Sequence, residues 1–178
     1  MDIETRWMSD YNRKEARTAF SQPGIRYSQA ESLIKSLMQD DKFRDLSLVE
    51  RKRVTERILA EIKGRMMEDI VLLETKLSKK NCEVFRLQFA IGEFDMVVFD
   101  PEEETCEIYE IKHSDKIVIQ QCRHLLDKQK CEDTAFRYGT IIGKYVIYCG
   151  ATTSLVQAGV STQEDVAYLN VEEYLKKL

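Results

Sequence analysis

The sequence predicts one α/β (α+β) domain in which helices lead and a small sheet follows. Three observations predict it. Up to about Leu77, apolar residues recur every three to four positions, the period of a helix. From Cys82 the pattern shifts to the alternation of strands. A hydrophobic content of 43% over 178 residues is enough to bury one core.

The elements follow in order. Residues 1–22 are polar and irregular, with Trp7, Tyr11 and Phe20 as isolated anchors, and read as an N-terminal extension or linker. Pro23-Gly24 reads as a break. Ser28 is the expected cap of a helix, with Glu31 completing a capping box and Leu33, Ile34, Leu37 and Met38 forming the apolar stripe. Leu48 to Leu77 reads as one long helix or two abutting ones, carried by Val54, Ile58, Ile62, Met66, Ile70, Leu73 and Leu77. Gly64 interrupts that stripe and, at about 1 kcal/mol against Ala, suggests a kink or a close backbone approach.

Cys82, Val84, Phe85, Leu87 and Phe89 suggest a first strand, Glu93–Phe99 a second and Thr105–Lys112 a third, an antiparallel meander with a polar turn at 100–104. Lys116 to about Lys130 reads as a helix with Ile119, Cys122, Leu125 and Leu126 on one side. Lys144–Cys149 and Val166–Leu169 read as strands, and Val171–Leu178 as a short terminal helix.

Charge and cysteine usage exclude some classes. A formal net charge of -4 argues against a generally basic protein that coats nucleic acid. No apolar run is long enough to span a bilayer and no signal-peptide pattern occurs, so a cytoplasmic protein with no membrane partner is expected. The cysteines (Cys82, Cys106, Cys122, Cys131, Cys149) form no CxxC pair, which points to reduced thiols rather than to zinc or a disulfide framework.

The second and third strands hold the residues that could carry chemistry. Asp95 interrupts an apolar strand. Glu110 and Lys112, two apart, share one face of the next strand. The turn between the strands brings Asp95 toward Glu110, and two adjacent carboxylates call for a cation; an oxygen-rich, partly hydrated site suits Mg²⁺ (or Mn²⁺). A lysine beside them offsets charge on a phosphate or helps prepare an attacking water. Glu68, on the long helix, is a candidate third metal ligand, and Gln120 or Gln121 a candidate holder of nucleophile or phosphate. Glu93 is expected on the opposite sheet face from Asp95. His113 and His124 read as solvated or hydrogen-bonded, although His124 lies one turn past Gln120 or Gln121, within reach of a phosphate. Lys116 and Arg123 are candidate phosphate contacts on similar grounds. A Glu-x-Lys spacing alone carries little, since exposed strands often alternate these residues. No continuous basic stripe occurs, and 93–110 contains no Lys or Arg.

Taken together, Glu68 on a helix, Gly92-Glu93-Phe94-Asp95, a hairpin, Glu110-Ile111-Lys112 and a helix near Gln121 resemble the PD-(D/E)XK nuclease superfamily. Phe94 stands where the motif's proline would be. A nearer resemblance is to the nuclease-like C-terminal domain of prokaryotic AAA+-type ATPases, in 64–71, in Gly92-Glu93-Phe94-Asp95 and in Pro23-Gly24-Ile25-Arg26-Tyr27. The likeness covers residues 23–178. It implies a restriction-endonuclease-like αβββαβ core with a mixed central sheet flanked by helices. It also implies Mg-dependent hydrolysis of phosphodiesters, DNA before RNA, with Asp95, Glu110 and Glu68 on the metal and Lys112 and Gln121 assisting. An AAA+-type ATPase module, fused or separate, is the implied partner; no GxxxxGK[ST] occurs in this chain. The alternative is a non-catalytic interaction or regulatory module that keeps the fold.

Overall fold

The computed structural model describes residues 23–115, 122–150 and 165–178. The expected 1–22 extension, Lys116, Gln120 and Gln121 lie outside the described residues. The chain divides into two compact units, Met1–Ile70 and Val71–Leu178.

In the first unit, helix α1 spans Pro23–Gln39. The expected break at Pro23 is instead the first residue of the helix, where a missing N–H costs nothing and the fixed φ is already helical. Ser28, expected as the cap, therefore lies inside α1. Helix α2, Asp41–Asp45, was not legible; Asp40 caps it by accepting from the Phe43 N–H at 3.0 Å. Helix α3, Leu48–Ser78, is a single element of 31 residues that runs through Gly64 and on into the second unit. It opens on a capping box: Ser47 Oγ accepts from the Glu50 N–H at 3.3 Å, and Glu50 Oε2 accepts from the Ser47 N–H at 2.9 Å.

The second unit is built on a five-stranded mixed sheet in the order β1-β2-β3-β4-β5. Its strands are β1 (Glu83–Gln88), β2 (Glu93–Asp100), β3 (Thr105–Lys112), β4 (Thr140–Tyr148) and β5 (Ala167–Asn170). The first three pair antiparallel, and β4 and β5 continue the sheet in parallel. Helix α4 spans Lys128–Tyr138 and α5 spans Val171–Lys177. None of the described helices is long and apolar enough to cross a membrane.

Strand β2 is not regular. Phe85 pairs with Val97 but Leu87 pairs with Phe94, so one residue of β1 faces two of β2. This bulge breaks the alternation: Phe94 and Val97, three apart, pack in the same core cluster. It also places Glu93, paired with Gln88, on the face away from that cluster, whereas strict alternation would have put it beside Asp95. The core itself joins Leu87, Phe94, Val97, Ile108, Val146 and Tyr148 from four strands. Each such side chain, taken out of water, contributes about 1.5–3 kcal/mol.

The helix expected over 116–130 is corrected where it is described. Residues 122–127 form an irregular turn, and the α-helix starts at Lys128, behind Asp127, whose Oδ1 accepts from the Lys130 N–H at 3.2 Å. Cys122 and Leu125 are both fully buried. Their three-residue spacing suits a tight turn as well as a helix, which is why the period misled. The true helix, KQKCEDTAFRY, carries only a short stripe, Cys131, Ala135 and Tyr138, to announce it. It ends at Gly139 (φ 75°), where a Cβ would stand 1.7 Å from the Glu104 carbonyl oxygen. Tyr138 at its end packs against Phe85 and Phe99, with ring centroids 5.0 and 5.6 Å away, which holds α4 on the core face of the sheet.

Candidate active site

The site forms on that core face, where the N-terminal part of β2 meets the C-terminal end of β3. Alternation along β3 puts Glu110 and Lys112 on the side that carries Ile108 into the core. The Lys112 Nζ lies 2.8 Å from Asp95 Oδ2 and 2.6 Å from Glu110 Oε2, so one ammonium bridges both carboxylates. Asp95 Oδ2 also accepts from the Ile111 backbone N–H at 2.7 Å, which ties the bulged strand to its neighbour at this point. The carboxylates are nearly inaccessible, with 7% and 2% of the side-chain surface exposed, while Lys112 keeps 33%. The lysine is thus the solvent-facing side of the group.

Charge is unequally shared among the three. Burial, reinforced by the nearby Asp95 charge, pushes the Glu110 carboxyl up to about 7 despite the lysine beside it. Burial works to lower the Lys112 pKa, but Asp95 and Glu110 outweigh it and hold it above the ordinary lysine value. Lys112 is therefore a fixed cation at neutral pH and not a base, and Glu110 is the member whose proton affinity lies near neutrality. Glu110 Oε1 is buried with no hydrogen-bond partner among the described residues. An orphaned carboxylate oxygen at such depth is costly, and a cation is the usual remedy.

The structure thus brings together Asp95, Glu110 and Lys112 as the sequence predicts. Glu68 belongs to the first unit, half-buried on α3, with Oε2 3.5 Å from Arg65 Nη1. Among the described residues no group of three His, Cys, Asp or Glu side chains is arranged to hold a metal ion. His113 and Arg123 are exposed and His124 is half-buried. Sequence reasoning missed Lys130, whose side chain turns back toward the turn between β1 and β2. Its helix start was misplaced, so no pattern marked it. The five cysteines are free thiols.

Family models, curated proteins and solved structures give no match to this chain.

Proposed function

We propose that the chain is a restriction-endonuclease-like, PD-(D/E)XK domain that hydrolyses phosphodiester bonds of nucleic acid, DNA before RNA, with Mg²⁺ or Mn²⁺. The carrying observation is the Asp95–Lys112–Glu110 group with its orphaned Glu110 oxygen, at the junction of an antiparallel pair and a parallel strand. The element order of helix, three strands, helix and strand supports the reading, as does the sequence resemblance.

The residues fit the metal. Mg²⁺ is held by hard oxygens, keeps several waters, and commonly takes only one or two carboxylates plus substrate phosphate. Asp95 and Glu110 would hold it, with Gln120 or Gln121 as polar assistants. Bound there, the ion supplies polarisation of the scissile phosphate and a water of lowered pKa. Lys112, a cation at neutral pH and one-third exposed, stabilises the charge that develops on the phosphate oxygens. Asp95, fixed by the Ile111 N–H, aims that ammonium. An AAA+-type ATPase, fused or separate, is the partner that the resemblance of 23–27 and 64–71 points to.

The second reading, a non-catalytic module of an ATPase, is favoured by the same lysine. An ammonium bonded to both carboxylates closes the group as a structural ion triad. The two readings part in one experiment. Plasmid, single-stranded DNA and RNA are incubated with the protein in Mg²⁺ or Mn²⁺, beside Asp95→Asn. Cleavage lost in the variant supports the nuclease, undiminished cleavage in the variant rejects it, and no cleavage of any substrate by the wild type favours the module.

A further inference from the structure

We infer that Arg123, His124 and Lys130 form a phosphate-binding site beside the carboxylates, placed to hold a backbone phosphate of the strand whose bond is cut. The inference takes the identity of its ligand from the nuclease reading, but the case for an anion stands apart from it. Lys130 is buried, at 8% exposure, yet its ammonium has no carboxylate partner among the described residues. Its Nζ meets His124 Nδ1 at 2.7 Å and lies 5.1 Å from the centre of the Phe89 ring. A lysine ammonium only donates, so Nδ1 accepts and the ring proton sits on Nε2. Arg123 Nε directs its N–H at that same Nε2 from 3.4 Å. A neutral ring accepts at one nitrogen only, so it cannot satisfy both cations at once. Among the described residues the Lys130 ammonium has no oxygen acceptor, and the Arg123 guanidinium lies on the other side of the same imidazole. A buried ammonium left in this state is expensive, and a phosphate oxygen satisfies it.

The surrounding field agrees. Burial and then the charges of Lys130, Arg123 and Lys112 hold the His124 pKa below its ordinary value, and only Asp127 opposes them. Gly92 makes the arrangement possible. It has a φ of +78°, and a Cβ there would stand 2.7 Å from His124 Cε1 and 3.1 Å from Lys130 Nζ. From Gly92 to Asp95 is three residues of strand, about 10 Å at roughly 3.3 Å per residue. At about 3.4 Å of axis per nucleotide, that is some three steps along a nucleic-acid strand.

Two measurements on the full chain test the inference. In the first, inorganic phosphate and then a short single-stranded DNA are titrated into ¹⁵N-labelled protein in metal-free buffer. The ring resonances of His124, assigned with His124→Gln, are followed; saturable shifts with both ligands are expected. In the second, binding of labelled DNA is followed by anisotropy over a salt series for the wild type, Arg123→Gln and Lys130→Gln. Each variant is expected to reduce the slope of log affinity against log salt by about one. Arg123 is exposed, so its variant keeps the test valid if loss of the buried Lys130 unfolds the chain. DNA binding with unchanged slopes and a silent His124 overturns the site and leaves the nuclease reading standing. Phosphate binding at His124 with no affinity for any nucleic acid supports the anion site and sinks that reading.

Discussion

Strand β3 carries two glutamates three residues apart, on opposite faces of the sheet, and their surroundings could hardly differ more. Glu107 has a donor at each of its oxygens. Its Oε2 accepts from Lys79 Nζ at 2.9 Å and Tyr109 Oη at 3.0 Å, and its Oε1 from Tyr145 Oη at 3.4 Å. Tyr109 and Tyr145 stack with centroids 4.9 Å apart, and Tyr174 closes the cluster edge-on. Glu110 shares one ammonium with a second carboxylate and keeps Oε1 unsatisfied. A carboxylate whose partners are complete is a strut. One buried with an oxygen left unpaired among the described residues carries a desolvation cost that Glu107 does not.

The largest expected effect breaks the comparison at the site. Lys112→Met is expected to slow metal-dependent cleavage by roughly 10²–10³-fold, the scale of losing one electrostatic stabiliser. Glu110→Gln is expected to abolish it, and Glu107→Gln to leave it near the wild-type rate. Gel-based cleavage rates decide the matter, and equal losses at the two glutamates would dissolve the distinction.

Stability should order the pair the other way. Glu107→Ala leaves a half-buried lysine and two tyrosine hydroxyls without their acceptor, at an expected cost of about 1–3 kcal/mol in urea unfolding. Glu110→Gln, in metal-free buffer near neutral pH, removes a burdened charge and is expected to cost less. A larger loss at Glu110 would make it the strut.

The pH dependence sharpens this further. With its pKa raised from 4.5 to about 7, Glu110 is easier to protonate in the folded chain than in the unfolded one. Its contribution is full below pH 4.5 and lost as pH climbs toward 7. The wild type should therefore lose stability relative to Glu110→Gln across that window without metal, as thermal melts would show. A constant difference would contradict the assignment. Burial lowers the Lys79 pKa, but Glu107 raises it more, so the net is above the ordinary 10.5. The contribution of that pair is full below 10.5 and disappears only as the pH passes the raised value. The smallest effect belongs to Tyr145→Phe, which removes one long hydrogen bond and should cost about 0.5 kcal/mol.

Much of this was legible in the chain. The third strand was read with its observed limits, and Asp95, Glu110 and Lys112 were brought together from alternation and a hairpin alone, because period-two geometry is local. What escaped was tertiary. Helix α4 has only a short stripe because it covers the sheet with few apolar residues, Lys130 and Thr134 being its buried ones. The burial of Glu110 Oε1 and the packing of His124 and Lys130 against Gly92 depend on neighbours distant in sequence, which no spacing encodes. Glu93 was placed on the correct face although simple alternation argues otherwise. The bulge that puts it there left no mark in the residue pattern.

That bulge has a consequence for how the chain tolerates change. Strand β2 is in step with β3 from Met96 to Asp100 and out of step with β1 on its other side, so it carries a permanent frame offset of one residue. A residue inserted after Arg86 would give β1 the position it lacks and bring the two strands back into frame. The hairpin would gain a regular ladder, and Phe94 and Asp95 would then compete for the same side of it. Single-residue insertions and deletions near Arg86 should therefore be far harsher on the site than substitutions there.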